Sequence, residues 1–169
     1  MSTLKKMAIL LLAILILIIA AFTWYKTKYS MEEAHTYQVN NSNLATKILI
    51  ATQGSDFKNA LTKEVIKYYQ EDAVYIQVID ISQLSDIEAS GYNAILLIHT
   101  WENWEAPTEV VSFLSKNTNH NNKIIAFTTS GNGSHKMSSV DALTGESKIE
   151  DVRLSSNQII VKLEAILNN

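Results

Sequence analysis

Lys47-Ile-Leu-Ile-Ala-Thr-Gln-Gly-Ser-Asp56 is the stretch that decides how this chain folds. Lys47 to Ala51 is a short apolar run, and an unbroken run of this kind marks a strand buried on both faces. Gly54 ends the run in a turn, and Asp56 is a residue type that suits the start of a helix. From about Phe57 to Gln70, Phe57, Leu61, Val65 and Tyr68 recur at helical spacing, with lysines and Glu64 between them. Strand, tight turn and amphipathic helix make the first half of a βαβ unit.

The same alternation continues along the chain. Val74-Tyr-Ile-Gln-Val-Ile79 reads as a second strand, Ala94-Ile-Leu-Leu-Ile98 as a third and Lys123-Ile-Ile-Ala-Phe127 as a fourth. Pro107 suits the first turn of a helix carrying Val110, Val111, Phe113 and Leu114. Ser155 to Leu167 closes the chain as a helix behind a serine cap, with Ile159, Ile160, Leu163, Ile166 and Leu167 in one stripe. Asp80 to Asn93 is weakly patterned, so that crossover helix is short or absent. The segment after the fourth strand looks short of a full helix and fifth strand. Strands alternating with helices imply right-handed parallel crossovers. The expectation is an α/β domain over residues 47–169, with a three-layer arrangement around a parallel sheet of four to five strands.

Upstream lies a different kind of sequence. Met7 to Trp24 reads MAILLLAILILIIAAFTW, without charge. A helix of about 17–25 apolar residues matches a hydrocarbon core of roughly 30 Å. Lys5 and Lys6 precede it, and Trp24, Tyr25, Lys26, Lys28 and Tyr29 follow as an aromatic and cationic belt. The rival reading is a cleavable signal with Ile19-Ala20-Ala21 as its small-residue site. The apolar run continues past that point to Trp24, which favours an uncleaved signal anchor. The organisation is then a basic N-terminus at 1–6, a transmembrane helix at 7–24, a polar tether at 25–46 and the domain at 47–169. Two lysines flank each side of the run, so only the N-terminal amine tips the domain towards the extracytoplasmic side. The chain has no cysteine, which excludes a lipid-modified cysteine anchor. Its net charge of −3, with no clustered basic stripe, argues against nucleic acid as a partner.

Ligands of an open parallel sheet sit beyond the carboxyl ends of the strands, where strand order reverses. Three loops qualify: Thr52-Gln53-Gly54-Ser55-Asp56, His99-Thr100-Trp101-Glu102-Asn103-Trp104-Glu105-Ala106 and Thr128-Thr129-Ser130-Gly131-Asn132-Gly133-Ser134. Gly54 lets backbone N–H groups turn towards an anion at a helix N-terminus, with hydroxyls from Thr52 and Ser55 beside it. Trp101 and Trp104 supply flat apolar faces, and Gly131 and Gly133 permit close backbone approach.

The order of elements, the Ser/Thr/Gly turn after the first strand and the Thr100-Trp101 pair after Ile95-Leu-Leu-Ile98 resemble the flavodoxin-like family. The resemblance covers nearly all of residues 47–169. It implies a turn that wraps the phosphate of FMN, a Trp that packs on the flavin ring and a Gly-rich loop over its other side. Carried onto this sequence, Thr52, Gln53, Gly54 and Ser55 meet the phosphate, Thr100, Trp101 and Trp104 meet the ring, and Gly131, Asn132 and Gly133 form the covering loop. The turn departs from the family's S/T-x-T-G-x-T pattern, because Gln53 and Asp56 replace threonines. A carboxylate at Asp56 repels a dianion if it faces the phosphate. Asp141-Ala-Leu-Thr-Gly-Glu-Ser147 also faintly resembles a covalent flavin attachment signature, but Ile149 stands where the acceptor hydroxyl belongs, which argues against attachment.

Other chemistry is thinly represented. His99 ends a buried strand, which is the ordinary place of a hydrogen-bonded structural histidine. His35, His120 and His135 lack ligand spacing, so no metal site is expected. No nucleophile elbow, Walker loop or dinucleotide fingerprint occurs, and no catalytic residue is assigned. Two functions follow from the resemblance and the anchor. One is an FMN-binding electron carrier held at a membrane, serving a membrane-associated protein. The other is a flavin-free scaffold or binding module on the same tether.

Overall fold

The computed structural model describes residues 3–29, 31–102 and 105–168, with the backbone alone for 25–29. It divides into two compact units, one up to Met31 and one from Glu32 onwards.

The first unit is helix α1, Thr3–Tyr29. Its apolar part, Thr3–Trp24, is 22 residues long, or about 33 Å at 1.5 Å per residue, which matches a bilayer core. Side chains on every face, from Leu4 to Phe22, are exposed. Such a helix has no polar side to turn to water. The hydroxyl of Thr23 bonds back to the carbonyls of Ile19 and Ala20 at 2.7 and 3.1 Å, so the small-residue point at Ala20-Ala21 lies inside continuous helix.

In the second unit, six strands form one sheet: β1 (Tyr37–Val39), β2 (Thr46–Thr52), β3 (Val74–Asp80), β4 (Ala94–Thr100), β5 (Ile124–Thr129) and β6 (Asp141–Gly145). Their order is β1-β3-β2-β4-β5-β6, parallel throughout except for the antiparallel edge strand β1. The four apolar runs are therefore the four central strands. The fifth parallel strand is β6, and an irregular segment at residues 130–140 replaces the helix that would normally precede it. β6 escapes a sequence reading because it is an edge strand, half-buried and without an apolar run.

Helices α2 (Asp56–Tyr69) and α4 (Val152–Leu167) cover one face, where Phe57, Leu61, Val65, Tyr69, Ile159 and Leu163 meet Ile48, Ile50, Ile76, Leu96 and Phe127. Helix α3 (Thr108–Lys116) and the short 3₁₀ turn at Ile81–Asp86 cover the other, with Val110, Phe113, Leu114 and Leu84 against Leu49, Ile79, Ile95 and Leu97. Each fully buried aliphatic side chain contributes about 1.5–3 kcal/mol of burial free energy, so these two cores carry the domain. The connection after β3 holds only 3₁₀ turns, at Ile81–Asp86 and Ala89–Gly91. Three expectations need correcting. Tyr69, not Tyr68, is buried on α2. Helix α4 begins at Val152, and Ser155 is buried within it rather than capping it. The polar segment read as a tether is partly built into the domain through β1.

Candidate functional site

Strand order reverses at β2, which lies between β3 and β4. The residues beyond the carboxyl ends of β2 and β4 therefore occupy the crevice where this class of sheet binds ligands. Thr52 to Ser55 and Thr100 to Glu102 do meet there, joined through Gln53. The side chain of Gln53 is buried; its Oε1 accepts from the Thr100 amide at 2.7 Å and its Nε2 donates to Glu102 Oε1 at 3.4 Å. The Gln53 amide donates to the Ile98 carbonyl at 3.3 Å.

Gly54 has a partner that the sequence does not announce. Its amide donates to the carbonyl of Glu32 at 2.7 Å, in a bridge between the two residues. Two residues on, the Ala34 amide donates to Asp80 Oδ2 at 2.7 Å, and Asp80 Oδ1 accepts from Ser82 at 2.9 Å. A Cβ built on Gly54 would meet Glu32 O at 2.7 Å and Glu33 O at 2.9 Å. The glycine is thus required here by the chain's own backbone lying across the turn. Ser55 is the N-cap of α2, accepting from the Lys58 amide at 3.2 Å, while Asp56 begins the helix, exposed.

Behind the turn stands a buried cation. Lys58 shows no exposed surface, and its Nζ donates to Thr100 Oγ1 at 2.7 Å. Thr100 Oγ1 in turn lies 2.9 Å from Thr129 Oγ1. Burial pushes the Lys58 ammonium down to about 8, partly offset by the negative charge of Glu102. His99, equally buried, has Nε2 at 3.2 Å from Thr128 Oγ1 and Nδ1 at 3.3 Å from the Thr100 carbonyl. Burial lowers its imidazole to about 4; the backbone bond at Thr100 opposes the shift and the Lys58 charge adds to it. His99 is a neutral structural group at ordinary pH.

Trp101 is half-buried at the end of β4, its amide bonded to the Thr129 carbonyl at 2.7 Å. Its ring stacks on His135, with centroids 5.7 Å apart and planes 25° from parallel. Trp101 Nε1 and His135 Nδ1 are both buried, without a hydrogen-bond partner among the described residues. Trp104 lies outside the described residues. In the third loop, Asn132 Oδ1 accepts from Ser134 Oγ at 2.7 Å, and the Gly133 carbonyl accepts from Thr144 at 3.0 Å. Gly133 has φ +62°, and a Cβ there would meet Gly145 at 3.1 Å. Asn132 and Gly133 thus bond within their own loop and to β6, while Gly131 is exposed.

Against the FMN that the resemblance implies, the phosphate turn does not fit as it is built. A phosphate at such a turn needs free backbone N–H groups. Here the amides of Gly54 and Gln53 are already bonded within the protein, Ser55 Oγ accepts from the Lys58 amide, and the backbone of 32–33 fills the space over Gly54. Lys58, Asp80 and Glu32 are residues of this region that the sequence does not single out, and His135 is considered there only as a metal ligand. Lys58 carries a usable signal: with Leu61, Thr62, Val65 and Tyr69 it falls on the buried stripe of α2.

No protein-family model and no curated protein matches the sequence. Among solved structures, the chain is similar to a flavodoxin from the domain Archaea, with TM-score 0.50 and 14% identity over 72% of this chain and 99% of that one. It also overlaps oxidised flavodoxin 2 from Bacillus cereus, with TM-score 0.41 and 17% identity over 71% of this chain and 99% of that one. Likeness at such identity is one of architecture, and function is argued from the site. The domain has a flavodoxin-like fold, preceded by a helix long and apolar enough to cross a membrane.

Proposed function

We propose that this chain is a single-pass membrane protein whose flavodoxin-like domain works without flavin, as a tethered binding module for a membrane-associated protein. The observation that supports it best is the 2.7 Å bond from the Gly54 amide to the Glu32 carbonyl, which fills the turn from within. Gln53 adds to this by spending its side chain on Thr100 and Glu102 rather than leaving a hydroxyl for phosphate. The anchor restricts the domain to one membrane surface, so its partner is sought there.

A second reading, an FMN-dependent electron carrier on the same anchor, draws on one observation. Trp101 stands at the end of β4 with its indole N–H buried and without a hydrogen-bond partner among the described residues. That reading requires residues 32–34 to leave the turn. The test is a titration of full-length chain in detergent with FMN, read by quenching of flavin fluorescence. No quenching up to high micromolar FMN is expected. Stoichiometric quenching in the low micromolar range overturns the flavin-free reading.

A further inference from the structure

Residues 32–39 form a strap with four separate fastenings. Glu32 O holds the Gly54 amide at 2.7 Å, and the Ala34 amide holds Asp80 at 2.7 Å. Thr36 and Gln83 exchange side-chain hydrogen bonds at 2.9–3.2 Å. Tyr37 to Val39 then add an antiparallel edge to β3, and Asn40, at φ 65°, turns the chain and donates to the Val74 carbonyl at 2.8 Å. Helix α1 ends at Tyr29, so only residues 30 and 31 separate it from the strap. Gly54, which receives the strap, is covalently next to Gln53, which holds the Thr100 amide and Glu102 on the neighbouring loop. The Trp101 amide follows directly and is bonded to Thr129 on β5. An unbroken series of short bonds therefore runs from the strap to the loop that carries Trp101.

We propose that the strap is a coupling element: its seating on Gly54 and Asp80 is relayed by Gln53 to the Thr100–Glu102 loop, so that the state of the strap is read at the sheet's ligand-binding end. The physical requirement is that both sites bias one shared element. Gln53 meets it, because one side chain and its adjacent peptide bond to both. The coupling is reciprocal, since it is a free energy shared between the two sites. It goes beyond the flavin-free reading and is judged on exchange rates alone, whatever the flavin titration returns.

The experiment is amide hydrogen exchange on the full-length chain in detergent micelles. Ala34→Pro removes the N–H that Asp80 accepts. It is expected to speed exchange at Gly54 and at Thr100 by about tenfold or more, with Leu49 and Leu96 in the core unchanged. Gln53→Ala is expected to speed Thr100 and also the strap amides. If Ala34→Pro unfolds the chain, Asp80→Asn weakens the same bond without altering the backbone, and the same rates are compared. Faster strap amides with Thr100 and Trp101 at wild-type rates overturn the proposal. So does a wild-type strap whose amides exchange as fast as those of an unfolded chain.

Discussion

Lys58 is where burial and charge oppose each other most directly. Lys58 has no exposed surface, its ammonium donates to the Thr100 hydroxyl at 2.7 Å, and burial brings it from 10.5 to about 8. The unfolded chain therefore holds this proton more tightly than the folded one. Below pH 8 both states are protonated and the folded state bears the full cost of the buried charge, about 3 kcal/mol for a shift of this size. Between pH 8 and 10.5 the folded state releases the proton first, so this cost fades as pH rises. Lys58→Met keeps the stem's volume and removes the charge. Thr100 Oγ1 retains Thr129 Oγ1 as a partner at 2.9 Å. The variant is expected to be at least as stable as wild type at pH 7, by about 1–3 kcal/mol, with the advantage shrinking towards pH 10. Urea midpoints of both proteins at pH 7, 8.5 and 10 measure it; a gap that stays constant with pH rejects the assignment of this titration to Lys58.

At the scale of elements, the two long helices on one face are held by a few residues. Leu163 of α4 is fully buried with Leu61 and Val65 of α2 in one cluster. Leu163→Ala is expected to cost about 2–5 kcal/mol through lost burial and the cavity left behind. Val161, two residues away on the same helix and 70% exposed, should cost under about 0.5 kcal/mol when cut to Ala. Denaturant midpoints should separate the two variants at unchanged slope; equal losses would remove α4 from the core. What the sequence discloses follows the same division. Ile48, Leu96 and Phe127 belong to apolar runs because central parallel strands are buried on both faces, and those strands, α2, α3 and α4 are legible within a few residues. β1 and β6 are edge strands of three and five residues with mixed polarity, so no periodicity marks them. The candidate site is legible only as three loops. Thr52 to Ser55 and Thr100 to Trp101 do lie at the switch point. But the bond from Glu32 to Gly54 joins polar residues 22 positions apart, and no local pattern encodes such a contact. The burial of Lys58 was readable from its stripe; the stacking of Trp101 on His135 was not, because it depends on how an irregular loop returns to the sheet.

For the whole molecule the governing fact is that one chain holds two incompatible surfaces. Helix α1 exposes leucine and isoleucine on all sides, among them Leu10, Leu11, Leu17 and Ile18, whereas the domain buries its aliphatic residues. Water accommodates the second and not the first. A helix this long and apolar is of the kind that can cross a membrane, its backbone bonds being satisfied inside the helix. The helix runs unbroken through Ala20-Ala21, where the Thr23 hydroxyl bonds back to the carbonyls of Ile19 and Ala20. Expressed in bacterial cells, the full chain is expected to stay in the membrane pellet after alkaline carbonate extraction, with an intact mass of 18.9 kDa. A soluble product beginning near Phe22 would identify the helix as a removed signal instead. In the same preparation, protease added to intact spheroplasts reports the side. Lys5, Lys6 and the N-terminal amine outweigh Lys26 and Lys28 by one charge, so N-in insertion and digestion of the domain from outside are expected. Moving that balance with Lys5→Gln and Lys6→Gln should increase the protected fraction. Protection unaffected by those charges would mean that the domain, and not the flanking lysines, sets the topology.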